Sequence, residues 1–277
     1  FPAIVGHSDQ VQRNHPRDFR AIETRDIIFG YSAKEHSFCG LGADDKNGII
    51  ICLEAIKKYD SMKVVFFKEE ETGCHGSSRA EMKFFDDCRF VIQCDRRGNS
   101  DLITNIGCSD LCSEKFIQDI DPEKWGYKEE TGMMTDVEAL KERGLSVSAI
   151  NMSCGYYNPH TDEEITVKRD LEKCWHIVQH IIEDCTETYP HEVGDNACFG
   201  YDEWEIEDEI HSIIQQDPTM TASDLYDMYQ TNFPMLRLED FERIVAEHQL
   251  WYDDEEETLT QTFKLDGKET DKEDFIF

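Results

Sequence analysis

The chain has 277 residues with a formal net charge of −32, and 39% of its residues are hydrophobic. This length and composition suffice for one sizeable globular domain with a smaller appendage. The negative charge argues against nucleic acid and anionic membranes as partners, because both would repel the protein. No apolar run approaches the roughly 20 residues of a membrane-spanning helix, and no charged segment followed by an apolar one indicates a signal peptide.

The eleven cysteines are scattered singly, many of them within apolar stretches, and none forms a CxxC pair. A disulfide scaffold or a zinc ribbon would need paired or regularly spaced cysteines. We therefore predict free, partly buried thiols in a reducing compartment, which favours a cytoplasmic location.

Short apolar runs rich in β-branched and aromatic residues predict four buried strands. These are Ala3–Val5, Lys63–Phe67, Phe90–Gln93 and Leu145–Asn151. Helical spacing of apolar residues predicts three helices in the same part of the chain, at Asn47–Tyr59, Thr135–Arg143 and Val167–Cys185. Alternation of strands with helices predicts an α/β fold, with a mainly parallel mixed sheet sandwiched between helices.

The composition changes after Pro190. Residues 191–277 contain 25 acidic and 5 basic side chains, a net charge of −20, against −12 for the first 190 residues. We predict a main domain at 1–190 and a small acidic helical module at 191–277, with helices at Glu203–Gln216, from Thr221, and at Arg237–Gln249. The module is a candidate surface for homo-oligomerisation. Because the chain begins within a predicted strand, we expect its natural N-terminal part to be missing.

Histidines and carboxylates recur at the ends of the predicted strands. The segments that carry them are VGHSDQV (5–11), LGADDKNG (41–48), KEEETGCHGS (68–77), QCDRRG (93–98) and YNPHTDE (157–163). In an open parallel sheet, the residues that follow successive strands converge at one edge, where ligands bind. Imidazole and carboxylate ligands without cysteine suit Zn²⁺ in an open catalytic site.

Each of these segments also has an ordinary structural explanation. Asp44 and Asp45, just before a helix, would most often be N-cap residues. The run Glu69–Glu71 would usually be a solvated patch of charge, and His7 a partly buried histidine. The joint occurrence of the segments, in this order and at strand ends, favours a metal site over these separate explanations.

The order HxDxV, GADDKxG, EExG, a lone aspartate after a strand and a late PHT resembles the co-catalytic dizinc exopeptidase superfamily. That superfamily includes zinc aminopeptidases, tripeptidase (peptidase T), glutamate carboxypeptidases and aminoacylase-type deacylases. The resemblance spans about residues 3–185. It implies a zinc exopeptidase-like, phosphorylase/hydrolase-like fold and two Zn²⁺ ions, with Co²⁺ or Mn²⁺ as substitutes.

The resemblance also implies a role for each matching residue. His7 and Asp95 correspond to ligands of one zinc, and Glu71 and His160 to ligands of the other. Asp44 corresponds to the carboxylate that bridges both ions, with a cis peptide bond to the residue after it.

Two further carboxylates correspond to residues that act on the water and on a ligand. Asp9 matches the carboxylate that orients the imidazole of His7, and Glu70 matches the general base. The triple glutamate leaves a second register open, in which Glu69 is the base and Glu70 the ligand. The spacing to Gly73 favours Glu70 and Glu71.

Three functions remain as hypotheses. Asp95 and His160 are only 65 residues apart, too few for the separate lid domain of many relatives, so we expect a core without an inserted lid. The first hypothesis is a peptidase of the aminopeptidase or di/tripeptidase type that acts on short peptides. The second is a deacylase of N-acyl amino acids with the same site. The third, a non-catalytic binding relative, is disfavoured because every expected ligand and the base are present.

Overall fold

The computed structural model describes residues 1–12, 14–107, 109–193, 210, 213–214, 220–229 and 236–246. The chain divides into two compact units, Phe1–Glu203 and Trp204–Phe277. The assignment of 1–190 and 191–277 as separate functional domains stays a prediction.

The first unit contains twelve described strands in two sheets. They are β1 (Pro2–His7), β2 (Phe19–Glu23), β3 (Ile27–Ser32), β4 (Ser37–Phe38), β5 (Lys63–Phe67), β6 (Phe90–Arg96), β7 (Asp101–Ile106), β8 (Ser109–Asp110), β9 (Lys128–Gly132), β10 (Ala149–Ser153), β11 (Tyr156–Tyr157) and β12 (Ile165–Val167). Its described helices are α1 (Ala43–Lys58), α2 (Glu114–Ile120), α3 (Asp136–Glu142) and α4 (Lys168–Asp184).

The larger sheet has seven strands in the order β5-β1-β6-β10-β7-β8, with β9 paired to β7. Its first four strands are parallel, and β7 runs antiparallel to β10. The smaller sheet is antiparallel, in the order β11-β12-β3-β2, with β4 paired to β3. The predicted α/β fold with a mainly parallel mixed sheet is confirmed.

The alternation of side chains along β1 explains why helices cover both faces of this sheet. Ile4 points into a core shared with α1, α2 and α4, whereas Ala3 and Val5 point into a second core shared with α3. A central parallel strand is buried on both faces, so it is a continuous apolar run rather than an alternating one. This is why the central strands β1 and β6 could be predicted from short hydrophobic segments.

One predicted strand begins later than expected. The segment Leu145–Asn151 was predicted as a strand, but β10 starts only at Ala149. The buried Lys141 Nζ donates hydrogen bonds to the carbonyl oxygens of Leu145 and Val147, the second at 2.5 Å. These carbonyls therefore do not serve a β-ladder.

In the second unit, a helix at Ala222–Tyr229 (α5) and another at 238–246 match two of the three predicted helices. Most of the predicted helix Glu203–Gln216 lies outside the described residues. No helix in the described part of the chain is both long and apolar enough to cross a membrane. The nine described cysteines are all free and buried, as their spacing predicted.

Candidate metal centre

Three neighbouring parallel strands and the turns after them carry most of the site. β1 ends at His7, and its neighbour β5 leads directly into Glu70 and Glu71. On the other side of β1, β6 carries Asp95 one residue before its end. The carboxyl ends of parallel strands meet at one edge of a sheet, so these four side chains converge there.

The remaining ligands come from outside this sheet. Asp44 lies in the first turn of α1, where the backbone departs from helical φ and ψ, and its peptide bond to Asp45 is cis, as the resemblance implied. His160 lies in the loop between β11 and β12 with a φ of 64°, in the left-handed region that few non-glycine residues adopt.

Two histidines approach the two oxygens of one carboxylate. His7 Nε2 lies 3.0 Å from Asp44 Oδ1 and 3.5 Å from Asp95 Oδ1. His160 Nε2 lies 3.3 Å from Asp44 Oδ2 and 3.0 Å from Glu71 Oε2. One set therefore consists of His7, Asp44 and Asp95, and the other of His160, Asp44 and Glu71. A different oxygen of Asp44 belongs to each set.

The spacing within each set fits a divalent cation. Zinc ligands lie about 2.0–2.1 Å from the ion, which in a tetrahedron places them about 3.3 Å from one another. His160 Nε2 and Glu71 Oε1 are buried without a hydrogen-bond partner, so neither atom is satisfied by the protein alone. Buried polar atoms are normally satisfied, and a bound cation would satisfy these. The residues present thus fit a pair of metal ions.

The ligand atoms can also be grouped in another way. Those of His7, Asp44 and Glu71 lie within 4.8 Å of one another, and so do those of His7, Asp45 and Asp95. We prefer the division by shortest distance, because the carboxylate of Asp45 is already used by backbone donors.

Asp45 holds the entry of α1 in place. Its Oδ2 accepts a hydrogen bond from the backbone N–H of His7 at 3.1 Å, and its Oδ1 from that of Gly48 at 2.9 Å. A Cβ on Gly6 or Gly48 would lie 2.7 Å or 2.3 Å from these carboxylate oxygens, which explains the glycines on either side. The N-cap explanation therefore fits Asp45, whereas Asp44 stays a candidate ligand.

Burial favours one register of the triple glutamate. Glu69 is exposed, whereas Glu70 and Glu71 are buried. Glu70 Oε2 lies 3.9 Å from His7 Nε2, farther than the oxygens of Asp44 and Asp95 from the same nitrogen. The turn that contains these glutamates needs glycine at position 76, because a Cβ there would lie 2.4 Å from the carbonyl oxygen of Lys68.

Asp9 touches both halves of the site. Its Oδ1 lies 3.5 Å from His7 Nδ1, at the outer limit of a hydrogen bond. Its Oδ2 accepts from the backbone N–H of Glu71 at 3.2 Å. The structure thus brings together all seven residues that the sequence singled out, which are His7, Asp9, Asp44, Glu70, Glu71, Asp95 and His160.

Burial and mutual repulsion dominate the electrostatics of the site. Burial, reinforced by the charge of Asp44, raises the pKa of Asp95 to about 8. Burial and the charge of Asp95 raise the pKa of Glu70 well above its usual range. For Asp44, burial alone would raise the pKa, but the nearby imidazoles of His160 and His7 outweigh it and lower the pKa. So many buried carboxyl groups require protons or cations beside them.

A buried polar network behind Asp95 was missed by the sequence analysis. Gln93 Nε2 donates to Asp95 Oδ2 at 3.0 Å and lies 3.4 Å from Asp136 Oδ2. Gln93 Oε1 accepts from Thr135 Oγ1 at 2.6 Å, and Ser77 Oγ donates to Asp136 Oδ1 at 2.5 Å. The available signal was a glutamine inside an apolar strand, two residues before Asp95 and so on the same face.

The larger sheet thus carries histidine and carboxylate side chains at the carboxyl ends of neighbouring parallel strands. No protein-family model and no curated protein matches the chain. Among solved structures, it is similar to aminopeptidase PepT from Bacillus cereus ATCC 10987, with a TM-score of 0.51 and 14% identity over 67% of this chain and 81% of that one. It is equally similar to a tripeptidase from Staphylococcus aureus subsp. aureus Mu50, with a TM-score of 0.51 and 13% identity over 66% and 80% of the two chains. At these identities the likeness establishes the fold, and it confirms the fold that the motifs implied.

Proposed function

We propose that this chain is a dinuclear zinc peptidase that removes residues from short peptides. The observation that carries the proposal is the division of the Asp44 carboxylate between two sets of ligands, 3.0 Å from His7 Nε2 and 3.3 Å from His160 Nε2. A structural histidine–carboxylate pair needs no such sharing, whereas two cations about 3.5–4 Å apart do.

The residues would hold the cations as two sets. His7 and Asp95 would bind one ion, Glu71 and His160 the other, and Asp44 both. Two zinc ions in such a site polarise the scissile carbonyl and lower the pKa of a water molecule towards neutrality. Co²⁺ and Mn²⁺ accept the same nitrogen and oxygen ligands.

Glu70 is the proposed general base. Its carboxylate is buried beside the two ligand sets, where it can accept a proton from the attacking water and pass it to the departing amine nitrogen. Burial raises its pKa, and a raised pKa suits a carboxylate that must both accept and release a proton near neutral pH. Asp9 orients the ring of His7 and the backbone of Glu71.

The charge of the site favours peptides with a free amino group. Eight carboxyl side chains line the site or lie directly behind it: Asp9, Asp44, Asp45, Glu70, Glu71, Asp95, Asp136 and Glu164. Two divalent cations supply only four positive charges. The excess of acidic groups attracts the free ammonium group of a peptide, which an N-acyl amino acid lacks, so we favour an aminopeptidase or di/tripeptidase over a deacylase.

The test compares wild type with Glu70→Gln and with Glu69→Gln, a matched control on the exposed neighbour. We expect about two zinc ions per chain by elemental analysis of all three proteins. A panel of dipeptides, tripeptides and N-acetyl amino acids then reports activity with Zn²⁺ or Co²⁺. Glu70→Gln should lower kcat by about 10²–10⁴-fold without metal loss, and Glu69→Gln should leave kcat unchanged.

Other outcomes have distinct meanings. Failure of wild type to take up metal would reject the site. If metal-loaded protein is inactive on every peptide, the proposed peptidase function is rejected. Turnover of N-acetyl amino acids alone would favour the deacylase, and an equal loss of kcat in Glu69→Gln would favour the other glutamate register.

A further inference from the structure

One buried carboxylate near the site has no role in the proposed chemistry. Glu164 is fully buried, although it belongs to an acidic run whose neighbours Asp162 and Glu163 are exposed. Its Oε1 accepts from the backbone N–H of Asp44 at 3.1 Å, and its Oε2 accepts from Gln12 Nε2 at 3.0 Å. A buried carboxylate held by neutral donors is costly, so its position needs an explanation.

The position of Glu164 joins the loop of His160 to the backbone of the bridging aspartate. Glu164 follows His160 by four residues in the loop before β12. Two residues earlier in the same loop, Asp162 Oδ1 accepts from the backbone N–H of Gly40 at 3.1 Å. The loop is therefore bonded at two points to the segment 40–44, which leads into α1.

This docking offsets an unfavourable local conformation. His160 has a positive φ of 64° and Asn158 one of 54°, and non-glycine residues hold such angles only where surrounding contacts impose them. The contacts that impose them here are the two carboxylates bonded to segment 40–44, together with Thr161 Oγ1, which donates to the carbonyl oxygen of Asn158 at 2.9 Å.

The partner Gln12 is itself held in place. A Cβ on Gly40 would lie 2.0 Å from Gln12 Cγ, so the glutamine stem packs directly on the glycine. Gln12 Oε1 is buried without a hydrogen-bond partner. If the Gln12 amide turned over, an amide at position 164 could donate to Gln12 Oε1 through its nitrogen and still accept from the backbone N–H of Asp44 through its oxygen.

We propose that Glu164 is the positioning residue of the second metal ion. It bonds the His160 loop to the backbone of Asp44, so that His160 Nε2, Asp44 Oδ2 and Glu71 Oε2 stand ready for one cation. This inference rests on the proposed dinuclear site and adds the statement that the two ions depend unequally on Glu164. The other set shares Asp44, but its remaining members, His7 and Asp95, are positioned by strands β1 and β6 rather than by the loop.

The test titrates metal-free protein with Co²⁺ and follows the visible absorption bands of the bound ion. Wild type should bind two ions. Glu164→Ala should keep the first and bind the second about 10–100-fold more weakly, the usual loss when a residue that orients a ligand is removed. Glu164→Gln should restore wild-type binding, because the hydrogen bonds rather than the charge position the loop. Glu163→Ala, the exposed neighbour, is the matched control and should bind as wild type does.

Three results would overturn the inference. They are unchanged binding of both ions by Glu164→Ala, equal weakening of both ions, and failure of Glu164→Gln to restore binding. If Glu164→Ala does not fold, Asp162→Ala removes the exposed contact to Gly40 instead, and a weaker second ion supports the inference while unchanged binding rejects it. Wild-type protein that binds no cobalt would reject the proposed function itself, a result distinct from all of these.

Discussion

The two halves of the candidate metal centre are built in different ways. His7 is fully buried at the end of β1, which is hydrogen-bonded to β5 on one side and to β6 on the other. The side chain of His160 is 23% exposed and comes from a loop with positive φ angles. The ligands His7 and Asp95 therefore sit on adjacent strands of one sheet, while His160 must be brought to Asp44 by hydrogen bonds from its loop.

The two halves therefore differ in what holds their candidate ligands in position. A central strand positions its last residue through the register of the whole sheet, so single surface changes barely move it. A loop positions its residue through a few hydrogen bonds, each of which can be removed alone. Binding of the ion assigned to His7 and Asp95 should therefore depend on the packed core of the sheet. Binding of the ion assigned to Glu71 and His160 should depend on individual contacts of the loop.

The largest effect on metal content should come from substitution of Asp44, which both halves of the candidate metal centre share. Asp44→Ala removes a ligand from both ions, so we expect metal content to fall from about two ions per chain to nearly none, with peptidase activity abolished. Elemental analysis of protein purified without chelator measures this. Retention of one tightly bound ion would show that one half is complete without the bridge.

The two histidines test the contrast directly. His160→Ala should lose one ion and keep the other. His7→Ala should lose at least one ion and also destabilise the metal-free protein, by about 1–3 kcal/mol, because buried carboxylates lose their partner. Cobalt titration and urea unfolding of the metal-free variants measure the two effects. Equal destabilisation by both substitutions would contradict the contrast.

Metal removal should lower the thermal stability of the protein by a measurable amount. The site gathers carboxyl groups whose pKa values are raised by burial and by one another, so a cation that binds the folded protein stabilises it. At 100 times the dissociation constant this contributes about 2.7 kcal/mol, or roughly 5–10 °C in Tm for a unit of this size. A chelator titration followed by calorimetry should show this shift, and Asp44→Ala should not show it.

The smallest effect is expected for Asp9. Asp9→Asn keeps an oxygen that can accept from the backbone N–H of Glu71 but removes the charge beside His7 Nδ1. Removal of a carboxylate behind a histidine ligand weakens metal binding by about tenfold at the lower end of its range. Competition with a chromogenic chelator measures this affinity. A loss as large as that of Asp44→Ala would make Asp9 a ligand rather than an orienting residue.

Much of the site could be predicted from the sequence, because the chemistry of its ligands is local. The parallel strands are short apolar runs; the ends of β1 and β6 carry His7 and Asp95, and the segment after β5 carries Glu70 and Glu71. Once the runs are recognised as neighbours in a parallel sheet, the convergence of these residues follows from the fold. The small antiparallel sheet was not predicted, because its short, partly exposed strands lack a buried apolar run.

Only the tertiary structure showed that two further acidic residues, Glu164 and Asp136, lie at the site. In the sequence, Glu164 is one member of an acidic run, and Asp136 begins a helix like many other acidic residues. The fold buries both, and bonds Glu164 to the backbone of Asp44 across 120 residues of chain. Periodicity and motif spacing report local conformation and ligand chemistry. A hydrogen bond between distant segments depends on where the whole chain places them, which no local pattern encodes.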